Sequence, residues 1–343
     1  MKTKDSILLQ TIAGEKHDRP PIWLMRQAGR VLPSYMALRE KYTFKELMAN
    51  PKLASEVTLL PVADLGVDAA ILFSDILVIP EAMGLKLEFK STGPVFENLI
   101  PDLTDPTKHL DIDLNRLNYI YENIKQIITD KPADIPLIGF CGGPLTVMCY
   151  MIDGSSKNHI FPETVKFLYK YPKAAQKLID VITEVTINYV KSQLVAGIDV
   201  FQLFETHAGL IPFQLYEKLF LPAVRKIISA VRGEIPTIYF PKGIGTGLTA
   251  LTPDISDIVG VDWQTSLFQA DELLNPEFGI QGNIDPRLLY GNQNIIDSEL
   301  IELQRFFEKD RRWILNFGHG FLPDIPFDNA KYLVSKAKSM SWN

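Results

Sequence analysis

The fold class is decided by the stretch from residue 173 to residue 209, which reads KAAQKLIDVITEVTINYVKSQLVAGIDVFQLFETHAG. Its first part places Leu178, Ile182 and Val185 on one face of an amphipathic helix. Residues 198–204, IDVFQLF, are then mainly apolar, which is typical of a strand buried on both faces. A helix followed by such a strand is the repeating unit of an α/β protein with a parallel sheet.

The same alternation runs through the 343-residue chain. Eight short apolar runs are candidate strands, at residues 21–24, 69–73, 136–140, 198–204, 237–240, 258–261, 279–281 and 313–317. Helical patterns occupy residues 51–60, 173–196, 212–231 and 328–338, and the close spacing of the later strands requires short connecting helices. Eight strands predict a closed (β/α)8 TIM barrel in a single α/β domain, residues 1–343, with an open doubly wound sheet as the alternative. Residues 86–112 are predicted to be an excursion after strand two, part loop and part hairpin.

Composition narrows the class of protein. Hydrophobic residues make up 46% and charged residues 22%, which excludes disordered, collagen-like and coiled-coil chains. The net charge of −6 disfavours nucleic-acid binding, and no apolar run reaches the ~18 residues that span a membrane. The first apolar stretch is too short for a signal peptide. Cys141 and Cys149 fit neither a redox pair nor a zinc knuckle, so we expect reduced thiols in a cytoplasmic protein.

Polar residues follow nearly every candidate strand. The carboxyl ends of the strands carry the chemistry in a barrel of this kind, so these residues predict the active site. They are Arg26 and Arg30 after the first strand, Asp75 after the second, Tyr150 after the third, Glu205, Thr206 and His207 after the fourth, Lys242 after the fifth, Asp262 after the sixth, Asn283 and Asp285 after the seventh, and, for the eighth, Asn316 near its end and His319 after it.

The charged residues of this rim have two interpretations each. Arg26, Arg30 and Arg39 offer three guanidinium groups suited to carboxylates or phosphates, although surface arginines are commonly paired with protein carboxylates. Asp75 lies in an apolar run, where an unpaired carboxylate costs several kcal/mol. It is therefore either half of a buried ion pair or an acceptor for ligand N–H groups and a partner for a developing cation.

His207 and His319 are either structural histidines or members of the site. Neither has a cysteine within three residues, and the chain has no His-x-x-x-His pair. The sequence therefore predicts no metal site.

The segment PIWLMRQAGR at residues 21–30 resembles the uroporphyrinogen decarboxylase family. So do FSDIL at 73–77, FETHAG at 204–209, GVDW at 260–263, QGNIDP at 281–286 and GHG at 318–320, and the similarity covers almost the whole chain in order. The resemblance implies a distorted barrel and a homodimer with facing clefts. It also implies decarboxylation of the four acetates of uroporphyrinogen III, giving coproporphyrinogen III in haem biosynthesis without metal or organic cofactor.

The resemblance further implies which residues contact the substrate. They are Arg26, Gln27, Ala28, Gly29, Arg30, Arg39, Asp75, Tyr150, Thr206 and His319. Asp75 is expected to stabilise the cationic transition state, with Arg26, Tyr150 and His319 as supporting candidates. The chain departs from the family's pattern at Leu145, where many members have tryptophan, and at Lys242-Gly243, where an acidic residue often follows the lysine.

Two other classes of function stay open. Zinc- and cobalamin-dependent methyltransferases share this superfamily fold, but they need a His-x-Cys pair where this chain has His207-Ala208-Gly209. A non-catalytic tetrapyrrole-binding protein is the second alternative, and the retention of the whole rim favours an enzyme over it.

Overall fold

The computed structural model describes residues 6–90, 93–154 and 160–342 of the chain. The α-helices are α1 Ile7–Ala13, α2 Pro33–Arg39, α3 Phe44–Ala49, α4 Pro51–Asp64, α5 Val78–Ala82, α6 Asn118–Asp130, α7 Pro144–Asp153, α8 Pro162–Lys170, α9 Pro172–Ala196, α10 Phe213–Leu219, α11 Leu221–Ser229, α12 Leu267–Leu273, α13 Gln293–Phe307 and α14 Phe327–Ser339. The strands are β1 Ala70–Ile71, β2 Leu87–Lys90, β3 Gly93–Phe96, β4 Leu137–Gly142, β5 Val200–Glu205, β6 Thr237–Pro241, β7 Ile258–Gly260, β8 Gly279–Ile284 and β9 Trp313–Phe317.

Seven of these strands form one curled, fully parallel sheet in the order β1-β4-β5-β6-β7-β8-β9. The strands are buried along their length, as expected when helices cover one face and the barrel interior fills the other. The prediction of an α/β fold of the distorted TIM-barrel type is confirmed. Short connecting helices were expected late in the chain. A 3-10 helix, Gly245–Ala250, links β6 to β7 and the 7-residue α12 links β7 to β8, whereas α13 between β8 and β9 has 15 residues.

The segment 21–24 lies between the two edges of this sheet. The N–H of Leu315 donates to the carbonyl of Pro21 at 2.9 Å, and the N–H of Asp68 donates to the carbonyl of Ile22 at 2.7 Å. Only one isolated bridge, Ile22 to Leu315, results, so the prediction of a regular first strand was wrong. Proline at position 21 has no N–H for a ladder, which accounts for the irregular closure.

Side chains supply the hydrogen bonds that the missing ladder would have made. The N–H of Leu24 donates to Oε1 of Gln27, and the N–H of Met25 donates to Oδ1 of Asn316. The amide nitrogen of Gln27 donates in turn to the carbonyl of Ala69 at 2.9 Å. The two edges of the sheet are thereby joined by amide side chains as well as by backbone.

The second predicted strand is shorter than expected. Residues 69–73 were predicted, and only Ala70–Ile71 is regular. The N–H of Phe73 donates to Oγ1 of Thr58 on α4 and not to the neighbouring strand. This bond turns the chain away from the sheet two residues before Asp75.

The predicted helices differ in how well they match the structure. The helix expected at 51–60 begins at Pro51, where Oδ1 of Asn50 caps it, and continues to residue 64. The single helix predicted for 212–231 was wrong, because the structure has α10 and α11 separated at Phe220. Pro222 lacks an N–H and cannot continue α10, so it opens a new helix instead.

The stretch 86–112 contains an antiparallel hairpin of β2 and β3, with Leu87 opposite Phe96. Residues 91 and 92 of this stretch lie outside the described residues. Across the described part of the chain, no helix is both long and apolar enough to span a membrane.

Candidate active site

Asp75 lies just beyond the end of β1 and is half-buried. Burial raises the pKa of its carboxyl group, against a hydrogen bond from the Leu77 N–H and the positive charge of Arg26. The Leu77 N–H reaches Oδ1 at 2.8 Å, and no second donor to Asp75 is present among residues 6–90, 93–154 and 160–342. The carboxylate therefore keeps unused acceptor capacity in a partly desolvated place, as a group that receives ligand N–H donors requires.

Arg26 follows the closing segment of the barrel and is exposed. Its φ of 62° lies in the left-handed region, where a residue with a side chain is strained. Its side chain lies against Gly320, because a Cβ at that position would come within 2.5 Å of Cγ of Arg26. The N–H of Phe321 also donates to the carbonyl of Met25, so the first and last loops of the rim meet here.

Tyr150, on α7, completes a group with Asp75 and Arg26. Burial raises the pKa of its phenol to about 12, the negative charge of Asp75 adds to the rise, and the charge of Arg26 opposes it. The Tyr150 ring packs on Phe161 at 5.3 Å and on His207 at 5.9 Å between centroids. These three side chains follow different predicted strands, and the charges of Asp75 and Arg26 both act on the Tyr150 phenol.

Arg30 and Arg39 lie in the stretch of chain that follows the closing segment 21–24, Arg39 as the last residue of α2. Both of their charges act on Tyr35, lowering a phenol pKa that burial raises. Nη1 of Arg39 is buried and has no hydrogen-bond partner within the described ranges. Tyr35 packs on Phe73 at 6.0 Å, two residues before Asp75. Arg30 and Arg39 therefore lie near Tyr35, whose ring packs on Phe73, and Arg39 has one donor without a partner among the described residues.

His319 lies in the loop after β9, next to Gly320, and is half-buried beside Trp263 with the ring centroids 6.0 Å apart. Two cations stack on the same indole, Lys242 at 5.7 Å and Arg287 at 5.3 Å. Lys242, where the chain departs from the family's pattern, therefore faces an aromatic ring. Asp262 accepts a 2.5 Å hydrogen bond from the N–H of Gly243, the residue after this lysine.

The side chain of Gln27 is engaged by the protein itself. Its side chain is fully buried, and both ends of its amide are bonded to backbone groups that close the barrel. Ala28 and Gly29 are half-buried next to it, and a Cβ at position 29 would come within 2.9 Å of the Arg26 carbonyl oxygen. We therefore expect these three residues to shape the loop that presents Arg26.

Two acidic residues beside the site are not among the predicted substrate contacts, although Glu205 stands at the end of the fourth predicted strand. Glu81 on α5 is half-buried, 3.9 Å from Nζ of Lys45, and its pKa is raised by burial and further by Asp75. Glu205 ends β5 beside Thr206 and is fully buried. The argument applied to Asp75, an acidic residue within or directly after an apolar run, would have singled out both.

The sequence of the chain is similar to those of known proteins. The sequence model of the family described as "Uroporphyrinogen decarboxylase (URO-D)" matches residues 3–340. The uroporphyrinogen decarboxylase of Christiangramia forsetii is 39% identical over 98% of both chains, and that of Geobacter metallireducens is 40% identical over 96% of both. The chain belongs to the uroporphyrinogen decarboxylase family.

A solved structure shows the same fold. A methyltransferase from Methanosarcina mazei superposes with a TM-score of 0.78, covers 98% of both chains and is 21% identical. Identity at that level shows the fold and does not carry the activity across.

The residues around His207 do not favour the alternative of a zinc-dependent methyltransferase. His207 is buried against Phe161, with ring centroids 4.5 Å apart, and is followed by Ala208 and Gly209. Within the described part of the chain, no three His, Cys, Asp or Glu side chains converge as metal ligands. Burial raises the pKa of Cys141 and Cys149 well above the usual thiol value, which disfavours the thiolate form that binds metals.

Proposed function

We propose that this chain catalyses the decarboxylation of uroporphyrinogen III to coproporphyrinogen III, a step of haem biosynthesis. The observation that carries the proposal is Asp75, a partly desolvated carboxylate at the carboxyl end of β1 with one backbone donor and the charge of Arg26 beside it. Membership of the family and relatives of that name supports the same reaction.

Arginines hold the substrate. Uroporphyrinogen carries eight carboxylates, while this chain has a net charge of −6, so attraction must come from a local positive field. Arg26, Arg30 and Arg39 supply that field. The unpartnered Nη1 of Arg39 is a donor whose burial becomes favourable once a carboxylate accepts from it.

Asp75 receives the pyrrole N–H groups. A domed tetrapyrrole can direct its N–H donors toward one acceptor, and the carboxylate of Asp75 has unused acceptor capacity. The same negative charge stabilises a cationic ring in a site with little water.

The macrocycle itself supplies the electron sink. A proton adds to the pyrrole carbon next to the acetate-bearing carbon and creates a cationic ring. The bond between the acetate methylene and its carboxylate breaks, carbon dioxide leaves, and the bonding electrons neutralise that ring. A second proton adds to the exocyclic carbon to form the methyl group, and loss of the first proton restores the pyrrole. Each cycle consumes one proton net and needs no cofactor.

The proton donor must be a group of this rim or water. An arginine is a poor acid because its pKa exceeds ~12. The pKa of Tyr150, raised to about 12, makes its phenol a weak acid but a good hydrogen-bond donor at neutral pH. We therefore propose Asp75, His319 or water as the route of the proton, with Tyr150 and Thr206 holding substrate carboxylates.

One incubation separates the candidate functions. The purified protein is mixed anaerobically with uroporphyrinogen III, and the products are oxidised and analysed by mass. We expect coproporphyrin, lighter by four molecules of carbon dioxide. An unchanged tetrapyrrole that co-elutes with the protein would indicate a carrier. Turnover that requires zinc, cobalamin and a methyl donor would indicate a methyltransferase.

We also propose that the protein is a cytoplasmic homodimer. The buried, unbridged thiols of Cys141 and Cys149 are consistent with a reducing compartment. Sedimentation equilibrium tests the dimer, and a monomer at concentrations where the enzyme is fully active would contradict it.

A further inference from the structure

Glu205 joins β5 to the beginning of α7. Its side chain is fully buried, and its carboxylate accepts hydrogen bonds from Leu145 N–H at 3.1 Å, Thr146 N–H at 2.7 Å and Thr146 Oγ1 at 2.5 Å. The first N–H groups of a helix have no partner within the helix, and negative charge is favourable there. A Cβ at Gly143 would come within 2.5 Å of Cδ of Glu205, so this approach requires glycine.

The hydroxyl of Thr146 extends the contact to the next loop. It donates to Glu205 and accepts a hydrogen bond from the N–H of His207 at 3.1 Å. Thr206 lies between these two anchored residues, so its position is set from both sides. Within the described part of the chain, α7 and the loop after β5 are thus joined through one buried hydroxyl and one buried carboxylate.

Tyr150 is placed by the same helix. It follows Thr146 by four residues and therefore lies on the same face of α7, one turn further along. Its ring packs against His207 at 5.9 Å, so the loop and the helix also meet at this level. A change in how α7 begins would be transmitted to Tyr150 by a rigid turn of helix.

Burying the carboxylate of Glu205 costs free energy, and the side chain is nevertheless fully buried in the folded protein. Removing an ionised carboxylate from water costs several kcal/mol unless its hydrogen bonds compensate. Burial raises the pKa of Glu205 to about 7 even though three hydrogen bonds oppose the rise. The groups that face it are Cys141 on β4, Cys149 on α7, Tyr216 on α10 and Tyr239 on β6. Burial raises the pKa of each, so they stay neutral at neutral pH and leave Glu205 to titrate there.

We infer that Glu205, acting through Thr146, is a positioning residue for the decarboxylation: it fixes α7 against the loop after β5 and so sets Tyr150 relative to Thr206. This inference rests on the proposed function, in which those two hydroxyls hold substrate carboxylates. Glu205 itself has no part in the bond-breaking step.

A double-mutant cycle tests the inference. Thr146→Val removes the hydroxyl and keeps the shape, Thr146→Ser restores the hydroxyl, and each is compared in the wild-type and Tyr150→Phe backgrounds. We expect Thr146→Val to lower kcat/KM about tenfold, Thr146→Ser to restore it to within about twofold, and the loss to shrink below about twofold once Tyr150 is phenylalanine.

The control is Thr186→Val on α9, another fully buried threonine, whose hydroxyl donates to the Ile182 carbonyl at 2.7 Å. We expect this variant to have wild-type kcat/KM. Equal losses from Thr146→Val in both backgrounds, or a Thr146→Ser variant as impaired as Thr146→Val, would overturn the inference. If Thr146→Val does not fold, Glu205→Gln enters the same cycle with the same criteria.

A structural measurement separates this inference from the proposed function. If the wild-type protein does not decarboxylate uroporphyrinogen, the proposed function fails. Crystal structures of the wild type and Thr146→Val then decide the positioning role alone. A displaced Tyr150 supports it, and an unmoved Tyr150 overturns it.

Discussion

The side chain of Arg26 lies across Gly320, so closely that any Cβ at position 320 would overlap its Cγ and Cδ atoms. The loop after β9, which contains Gly320, therefore contacts Arg26, the arginine that follows the closing segment 21–24. The obstacle to a Cβ at Gly320 is a flexible side chain, whereas at Gly318 it is backbone, with the carbonyl carbon of Asp262 at 2.9 Å. The two glycines of one short motif thus have different physical reasons to be glycine.

We predict that Gly320→Ala impairs catalysis more than folding. The new methyl group displaces Arg26 without straining the backbone, so kcat/KM should fall about tenfold or more, as for loss of one charge-assisted hydrogen bond. The melting temperature should change little. Gly318→Ala is the matched comparison, and it should lower the melting temperature because backbone cannot move aside. Equal effects of both variants on melting temperature and none on kcat/KM would contradict the assignment.

Asp75→Asn should keep the fold and lose most activity. The amide oxygen can still accept from the Leu77 N–H, so the local turn survives. Removing the negative charge removes stabilisation of the developing cation, an effect worth ~3 kcal/mol or about a hundredfold in kcat. Circular dichroism and kcat are measured on the same preparation. A folded variant with near-wild-type kcat would remove Asp75 from the mechanism.

Much of this site could be anticipated because parallel strands deliver their carboxyl ends to one rim. Asp75, Tyr150 and His319 each follow a recognisable apolar run, and local patterns also predicted the cap at Asn50. The curled sheet follows from the same alternation of strands and helices.

Other features depend on contacts between distant residues. Glu205 bonds to Thr146, 59 residues away, and Gln27 bonds to the carbonyl of Ala69, 42 residues away. No local sequence pattern indicates which buried amide or carboxylate side chain will form hydrogen bonds with distant backbone groups. The break at Phe220 could have been read from Pro222, but the apolar periodicity on both sides concealed it.

We predict that Arg26→Lys weakens substrate binding although it preserves charge. A guanidinium holds a carboxylate with two parallel hydrogen bonds, whereas an ammonium provides a point charge of different reach. The loss of one such hydrogen bond costs ~1.5–3 kcal/mol of binding free energy, which lowers the affinity for substrate about ten- to a hundredfold. Because one nitrogen of Arg39 is buried and unpartnered within the described residues, Arg39→Lys should also impair binding.

Arg305→Lys is the control, since Arg305 pairs with Glu302 on the exposed face of α13. An exposed ion pair contributes only ~0–1 kcal/mol to stability. Because Arg305 is exposed on α13, outside the candidate site, Arg305→Lys should bind the substrate like the wild type. All variants are titrated with substrate at two salt concentrations. Wild-type affinity of Arg26→Lys at both would make Arg26 a structural or surface residue.

Glu205 should make stability depend on pH. Its pKa is about 7 in the folded state against an ordinary value of 4.5, so the folded protein binds this proton more tightly than the unfolded chain. The stabilising contribution is complete below pH 4.5 and is lost as pH rises through about 7. From the difference between these two pKa values, the loss in the free energy of unfolding is at most ~3 kcal/mol.

Urea unfolding of the wild type and Glu205→Gln at about pH 5 and about pH 7.5 measures this contribution. The wild type should lose more free energy of unfolding between the two pH values than Glu205→Gln does. The same pH dependence in both proteins would show that Glu205 does not titrate in this range.

The most direct test of the central claim is the fate of the substrate in heavy water. Protein freed of metals by exhaustive chelation is incubated anaerobically with uroporphyrinogen III in D2O, and the oxidised product is analysed by mass and NMR. We predict coproporphyrin with one deuterium in each of the four methyl groups that replace acetates, at the rate of untreated protein. Unchanged uroporphyrinogen, or turnover that returns only when a metal is added, would contradict the account.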